Sequence, residues 1–290
     1  MQNNIDKQLD QWLNGIYNEI FFWKNYMETG GGRFKSGFDS TVEKNKKFLL
    51  EDDLYFFDEK DKINFIDIGS GPFSRCGFVT EKVNLNCIAV DPLADIYTIL
   101  KRNNHLENGV GLEFGFVELL DKKFSKNTFD FVHMSNALDH SFDPVIGIAQ
   151  LLYICKIGGK VVLRHKENEA EAELYDGFHQ WNLSAKRNNQ GGYSFIIWNL
   201  NERYDIGELF GDYAEITCKE DMLEPQFQRV EMIKKKDILI PPNDIYDNML
   251  FRVYPFLLKI IYEDVCQNST GIRSYIYRVR RELKRRKAKK

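Results

Sequence analysis

Apolar residues recur along this chain in two rhythms, and each predicts a different element. Leu9, Trp12, Leu13, Ile16, Ile20 and Trp23 return every three or four positions, the spacing of one face of an amphipathic helix. A Gly30-Gly31-Gly32 break and a polar segment with Arg33, Lys35 and Phe38 follow. Residues 1–60 therefore read as a helical cap over a core, or as a lid hinged at the triple glycine. From Ile63 the rhythm changes to short apolar runs bounded by turn residues, as in strands buried on both faces. Ile63, Phe65, Ile66 and Ile68 form the first, Cys87 to Val90 the second and Leu112 to Val117 the third. Phe129 to Met134 and Lys160 to Arg164 are the fourth and fifth. Helical stretches lie between them at Ala94 to Arg102 and Pro144 to Cys155. Ile206 to Tyr213 reads as a last core helix, then Ala214 to Lys219 and Gln228 to Ile233 as a closing strand pair. Such alternation predicts an α/β fold, a Rossmann-like doubly wound sheet of about seven strands with an antiparallel last strand. The core spans 61–235, with an insertion at 165–206 after strand five. A helical tail fills 236–290.

The first strand runs into Gly69-Ser70-Gly71-Pro72, where the chain must turn sharply and a ligand can approach the backbone. Ser70, Pro72 and Ser74 suit the start of a helix, whose free N–H groups would face that ligand. The second strand ends at Asp91-Pro92, where a carboxylate can accept hydrogen bonds from both hydroxyls of a ribose. A dinucleotide would set its pyrophosphate over the glycines, and Asp67, two residues before the first of them, would repel it. A sulfonium cofactor would be attracted instead. The set Asp67-Ile68-Gly69-Ser70-Gly71 followed by Asp91 resembles the class I S-adenosylmethionine-dependent methyltransferase family. The resemblance covers about residues 60–235 and implies S-adenosyl-L-methionine as cofactor. The family places an acid or amide near the adenine where this chain has Glu118; Phe116 and Val117 are expected beside the ring, and Ser135, in a loop beyond a strand's carboxyl end, beside the reactive methyl group. The family often has Gly-Asp where this chain has Gly115-Phe116, which leaves open the side chain that meets the adenine amine.

The loop after the fourth strand, Ser135-Asn136-Ala137-Leu138-Asp139-His140, lacks the Asn/Asp-Pro-Pro-aromatic sequence of enzymes that methylate base amino groups. His140 is the first candidate for a general base, with Asp139 to orient it, and His179 in the insertion is the second. The insertion carries Glu169, Tyr175, Gln180, Trp181, Asn182 and Trp198. Aromatic faces beside amides and carboxylates suit a sugar; a hairpin with its own core is the plainer alternative. The Gly177-Phe-His-Gln-Trp-Asn run, with Asn-Ala-Leu-Asp-His upstream, is similar to methyltransferases of bacterial surface-polysaccharide clusters, such as capsule or lipopolysaccharide. That likeness implies O-methylation of a small or glycan-linked acceptor.

Composition narrows the remaining possibilities. Of 290 residues, 43% are hydrophobic and 14% aromatic, enough for a sizeable core. Five scattered cysteines without Cys-x-x-Cys spacing read as thiols of a reducing compartment, and neither a signal peptide nor a spanning segment is evident. A cytoplasmic protein is expected. The histidines and carboxylates show no ligand spacing along the chain, so no metal is expected. The net charge of −3 conceals +9 in residues 273–290 against −12 elsewhere. An acidic body excludes the broad basic face of a nucleic-acid enzyme. The basic end, with Ile272, Ile276, Val279 and Leu283 as a helical stripe, is a solvated helix or a peripheral contact for anionic membrane. Oligomeric state is not legible. Two rivals stay open: an NAD(P)-dependent dehydrogenase or epimerase, and a non-catalytic protein that docks through its tail.

Overall fold

A computed structural model describes residues 2–43, 46–57, 62–106, 109–187, 193–241 and 245–261, with side chains from residue 9. The basic segment 273–290 and its apolar stripe lie outside these residues. Seven strands form the main sheet: β1 (Lys62–Ile68), β2 (Asn84–Asp91), β3 (Leu112–Phe114), β4 (Phe129–Ser135), β5 (Cys155–Lys166), β9 (Ala214–Glu220) and β10 (Phe227–Lys234). Between them in the chain, β6 (Asn182–Arg187), β7 (Tyr193–Trp198) and β8 (Arg203–Asp205) make a second, three-stranded sheet.

The main sheet has the order β3-β2-β1-β4-β5-β10-β9. β1 pairs in parallel with β2 and β4, β2 with β3 and β4 with β5, whereas β10 runs antiparallel to both β5 and β9. The fold is Rossmann-like, with its switch point between β1 and β4, where the chain reverses its direction of winding. The strands are the expected ones, with β3 ending at Phe114 and Phe116 placed in the loop beyond it. The insertion is not a separate core. Trp181, Leu183, Phe195 and Ile197 pack into the same cluster as Ile66, Val132 and Leu163 of the main sheet.

One expected element is missing. The chain from Pro72 to Val83 contains no helix. Gly77 sits at φ +74°, and a Cβ there would lie 2.1 Å from the carbonyl of Lys47. The segment is bound to a neighbouring strip of backbone instead of to itself: Phe48 N–H donates to Val79 O at 2.8 Å, and Leu49 N–H to Cys76 O at 2.7 Å. Ser-Arg-Cys-Gly-Phe-Val-Thr has a glycine and two β-branched residues within a few positions, which weakens any helix.

The N-terminal helix is packed on the main sheet's flank. A helix over Gln2–Glu28 buries Leu9, Trp12, Ile16 and Ile20 against Leu93, Tyr97, Phe116, Phe142 and Phe178. Trp12 stacks on Phe178 with ring centroids 4.9 Å apart. Among the described helices, none is long and apolar enough to cross a membrane, and none of the four described cysteines is in a disulfide.

Candidate functional site

The carboxyl ends of β1, β2 and β4 bring the glycine turn, Asp91 and the Ser135–His140 loop to one edge of the sheet. Gly69 and Gly71 hold φ of +63° and +62°, and a Cβ on Gly69 would meet Ala137 at 2.4 Å. No side chain fits between the two loops. Asp91 is buried, and its oxygens accept Gly71 N–H at 2.9 Å and Leu93 N–H at 2.8 Å. Burial pushes its carboxyl up to about 7 despite these two bonds. Each carboxylate oxygen has a second lone pair, so acceptor capacity remains for hydroxyl donors. Pro92 bridges Asp91 and Leu93 in the turn, and Ser70 Oγ donates to Gly71 O at 3.0 Å.

Asp67 is committed elsewhere. Its carboxylate contacts His133 Nδ1 at 2.8 Å and accepts from Ser74 Oγ at 2.7 Å, while Cys76 Sγ lies 3.2 Å from the same imidazole nitrogen. Asp67 therefore braces the turn from beneath, and its charge is what reaches the crevice. Glu118 is likewise occupied: its Oε1 accepts Phe142 N–H at 2.6 Å and Asp143 N–H at 3.3 Å, and burial raises its carboxyl to about 7. Phe116 lies in an aromatic cluster with Trp12 and Phe142. Val117 faces the helix Pro144–Ile154 at Gly147.

The acceptor side is more concentrated than its spacing suggested. Asp139 Oδ2 lies 2.8 Å from His179 Nδ1 and 3.2 Å from His140 Nε2, and the two imidazole nitrogens stand 3.2 Å apart. Direct contact between the neighbours Asp139 and His140 is possible because Leu138–His140 is a 3₁₀ turn. The insertion is clamped to this turn by backbone: Gln180 and Trp181 N–H both donate to Asp139 O, at 3.0 and 3.2 Å. Burial lowers the basicity of His140, but the Asp139 carboxylate outweighs it and lifts the imidazole to about 9. Asp139 is driven down by the two histidines.

Several buried polar groups have no partner among the described residues: Ser135 Oγ, Asn136 Oδ1, Asp139 Oδ1, both nitrogens of His165, Asn168 Oδ1 and both amide atoms of Gln180. They come from three segments that backbone bonds draw together, Asn136 N–H donating to Arg164 O at 2.8 Å and Asn168 N–H to Leu183 O at 3.2 Å. Burial holds His165 down at about 4, so it is neutral. Buried polar groups in folded proteins are nearly always paired, so such a concentration is where bound water or a ligand would complete the hydrogen bonding.

No family model matches the chain, and no curated protein is similar to it in sequence. Among solved structures it is similar to a Galdieria sulphuraria protein described as a sarcosine dimethylglycine methyltransferase, at 14% identity over 40% of this chain and 43% of that one, with a TM-score of 0.33. The CurJ carbon methyltransferase matches at 10% identity over 68% of this chain and 54% of its own, TM-score 0.44. A methyltransferase solved with the Haloferax volcanii Trm112 activator matches at 12% identity over 77% and 98%, TM-score 0.46. The chain thus spans about half the length of the first two. The likeness is distant and concerns the arrangement of strands and helices.

Other expected acceptor contacts turn out to hold the insertion together. Trp181 Nε1 donates to Ser141 O at 3.0 Å in the core; Asn182 donates to Tyr175 OH at 2.8 Å and accepts Glu171 N–H. Trp198 Nε1 reaches Glu171 at 3.3 Å, and Glu169 pairs with Lys166 at 2.9 Å. Of the proposed acceptor residues, Asn136 and Gln180 are the ones left beside the trio with unpaired groups. Sequence reasoning missed His165 and Asn168, which directly follow strand five's apolar run. It also missed Glu19, which accepts from Trp23 Nε1 at 2.7 Å and acts electrostatically on Asp91 and His140. The signal for Glu19 was its place next to Ile20 on the cap's apolar stripe.

Proposed function

We propose that this protein transfers a methyl group from S-adenosylmethionine to a hydroxyl oxygen of a polyhydroxylated, sugar-like acceptor. The observation that carries the cofactor reading is a glycine turn flanked by Asp67 and Asp91 with no helix after Pro72. A pyrophosphate needs the N–H groups and dipole of a helix start above its glycines. This turn has no helix start above it, its Gly69, Ser70 and Gly71 N–H groups already donate to Val90 O and Asp91, and it adds two carboxylates. A nicotinamide dinucleotide is therefore disfavoured, and a cationic cofactor without phosphates fits.

When bound, the cofactor supplies an electrophilic methyl carbon on a sulfonium, already a good leaving group. The chain's own task is to hold the nucleoside, align the acceptor and take its proton. Asp91 accepts from the ribose hydroxyls. Gly69 and Gly71 let the turn pack closely against Ala137 of the Ser135–His140 loop and against Trp23 of the cap, which holds Asp91 in place through Gly71 N–H. The unpaired groups of Asn136, His165, Asn168 and Gln180 offer donors and acceptors to a ligand rich in hydroxyls. The trio Asp139, His140 and His179 is the proton-handling group, and the acceptor hydroxyl lies against it. A glycan precursor of a surface polysaccharide, as the Asn-Ala-Leu-Asp-His and Gly-Phe-His-Gln-Trp-Asn runs imply, has this chemistry.

The test is incubation of the purified protein with methyl-labelled cofactor and fractionated glycan precursors, beside calorimetry with S-adenosylhomocysteine and NADH. Labelled product and binding of the homocysteine compound are expected. Binding of NADH alone would sink the reading.

A further inference from the structure

The trio has a geometry that a proton does not require. We propose that Asp139 Oδ2, His140 Nε2 and His179 Nδ1 form the protein face of a mononuclear site for a divalent first-row transition metal. The three atoms make a triangle with sides of 2.8, 3.2 and 3.2 Å. Donors at neighbouring corners of an octahedron stand about 3 Å apart when each lies ~2.1 Å from the ion. Two imidazoles and one carboxylate on a single face leave the opposite positions open, and this donor set selects Zn, Fe, Mn, Co or Ni over the all-oxygen preference of Mg and Ca.

Three further features point to a ligand there. Asp139 is 1% exposed, yet its Oδ1 has no partner among the described residues. The buried amide of Gln180, next to His179 in the chain, is unpaired at both atoms. The donors are also fixed in advance: the backbone of residues 180 and 181 is tied to Asp139 O, and Phe178 packs 5.5 Å from His140 and stacks on Trp12. A second group, Asp67, Cys76 and His133, has comparable spacing but lies wholly buried beneath the glycine turn, without an unpaired atom. The trio, by contrast, has histidines that are about one-fifth exposed. With an ion bound, the two imidazoles serve as its ligands and not as the base, and the acceptor's proton is loosened by the ion acting on a bound hydroxyl; adjacent hydroxyls of the acceptor are its natural partners. The metal site stands without the methyl-transfer reading, since its test uses neither cofactor nor acceptor.

The test takes the full-length protein, stripped with chelator, and titrates it with Zn(II) and Co(II) by calorimetry and visible absorption. About one equivalent is expected to bind, and His140→Ala or His179→Ala should each weaken affinity by roughly 100-fold or more, since loss of even an outer partner costs 10–100-fold. Cys76→Ser should leave binding unchanged, and circular dichroism of each variant checks its fold. Paramagnetic proton spectra of the Co(II) wild-type protein need no variant and should show two shifted, exchangeable imidazole N–H signals. No binding by wild type, binding indifferent to both histidine variants, binding lost in Cys76→Ser, or fewer than two such signals would each overturn the site.

Discussion

At the scale of single residues, the crevice is defined by carboxylates whose environments differ. Asp139 is drawn down by two histidines, whereas Asp91 is pushed up to about 7 by burial. A protonated Asp91 loses an acceptor for ribose hydroxyls, so affinity for S-adenosylhomocysteine should fall as pH drops below about 7. Calorimetry from pH 5.5 to 8 would read a decline approaching about tenfold per unit on the acid side. Asp91→Asn should flatten that profile and weaken binding by about 1.5–3 kcal/mol, the range for a hydrogen bond to a charged group. An unchanged profile would remove Asp91 from the cofactor. On the acceptor side, His179→Ala should lower turnover by about 10²–10⁴-fold with little effect on cofactor affinity, as expected when proton transfer and alignment are lost. Single-turnover rates with saturating cofactor would check this.

At the scale of elements, the cap and the insertion meet at a glycine. A Cβ on Gly15 would come within 2.5 Å of the Phe178 ring and 2.8–2.9 Å of the backbone at residues 177 and 178. Gly15→Ala would gain about 1 kcal/mol of helix propensity. Overpacking against backbone costs about 1–3 kcal/mol, so the variant should be no more stable than wild type, and acceptor turnover should drop because His179 follows Phe178. Urea unfolding and steady-state rates give the two readings. A second element-level anchor is Asp53, which pairs with buried Lys160 and with Arg229 and so pins the short helix Glu51–Leu54 to β5 and β10. Asp53→Ala should cost about 3 kcal/mol, the lower end for breaking a buried pair, because Glu231 still serves both cations. These cases show what the sequence carried. Buried parallel strands were legible because continuous apolar runs such as Cys87 to Val90, ending in turn residues, are too short for a core helix. The missing helix was not, because Ser-Gly-Pro starts helices elsewhere and only the partner strip at 46–50 diverts it here. The trio was half legible: Asp139 and His140 stood beside a strand end, but nothing in the spacing of 39 residues announced that His179 would lie 3.2 Å from His140.

At the scale of the whole molecule, one helix touches both halves of the proposed site. Trp23 covers the glycine turn, 3.2 Å from where a Cβ of Gly71 would lie, and Trp12 stacks on Phe178 beside the trio. A ligand that binds only the folded state stabilises it by mass action, about 2.7 kcal/mol at a hundred times its dissociation constant. For a chain of this size each kcal/mol raises the melting temperature by about 2–4 °C, so S-adenosylhomocysteine should shift it by roughly 5 °C or somewhat more, and NAD⁺ at the same concentration should not. The shift alone does not say where order is gained. Because the cap bridges the two loops, cofactor bound at Asp91 should slow amide exchange not only in 69–93 but also along 9–28 and at 175–180. Hydrogen-exchange mass spectrometry would resolve these peptides. Protection confined to 69–93 would make the cap inert packing, whereas protection at all three would mean that cofactor binding organises the acceptor side before the acceptor arrives.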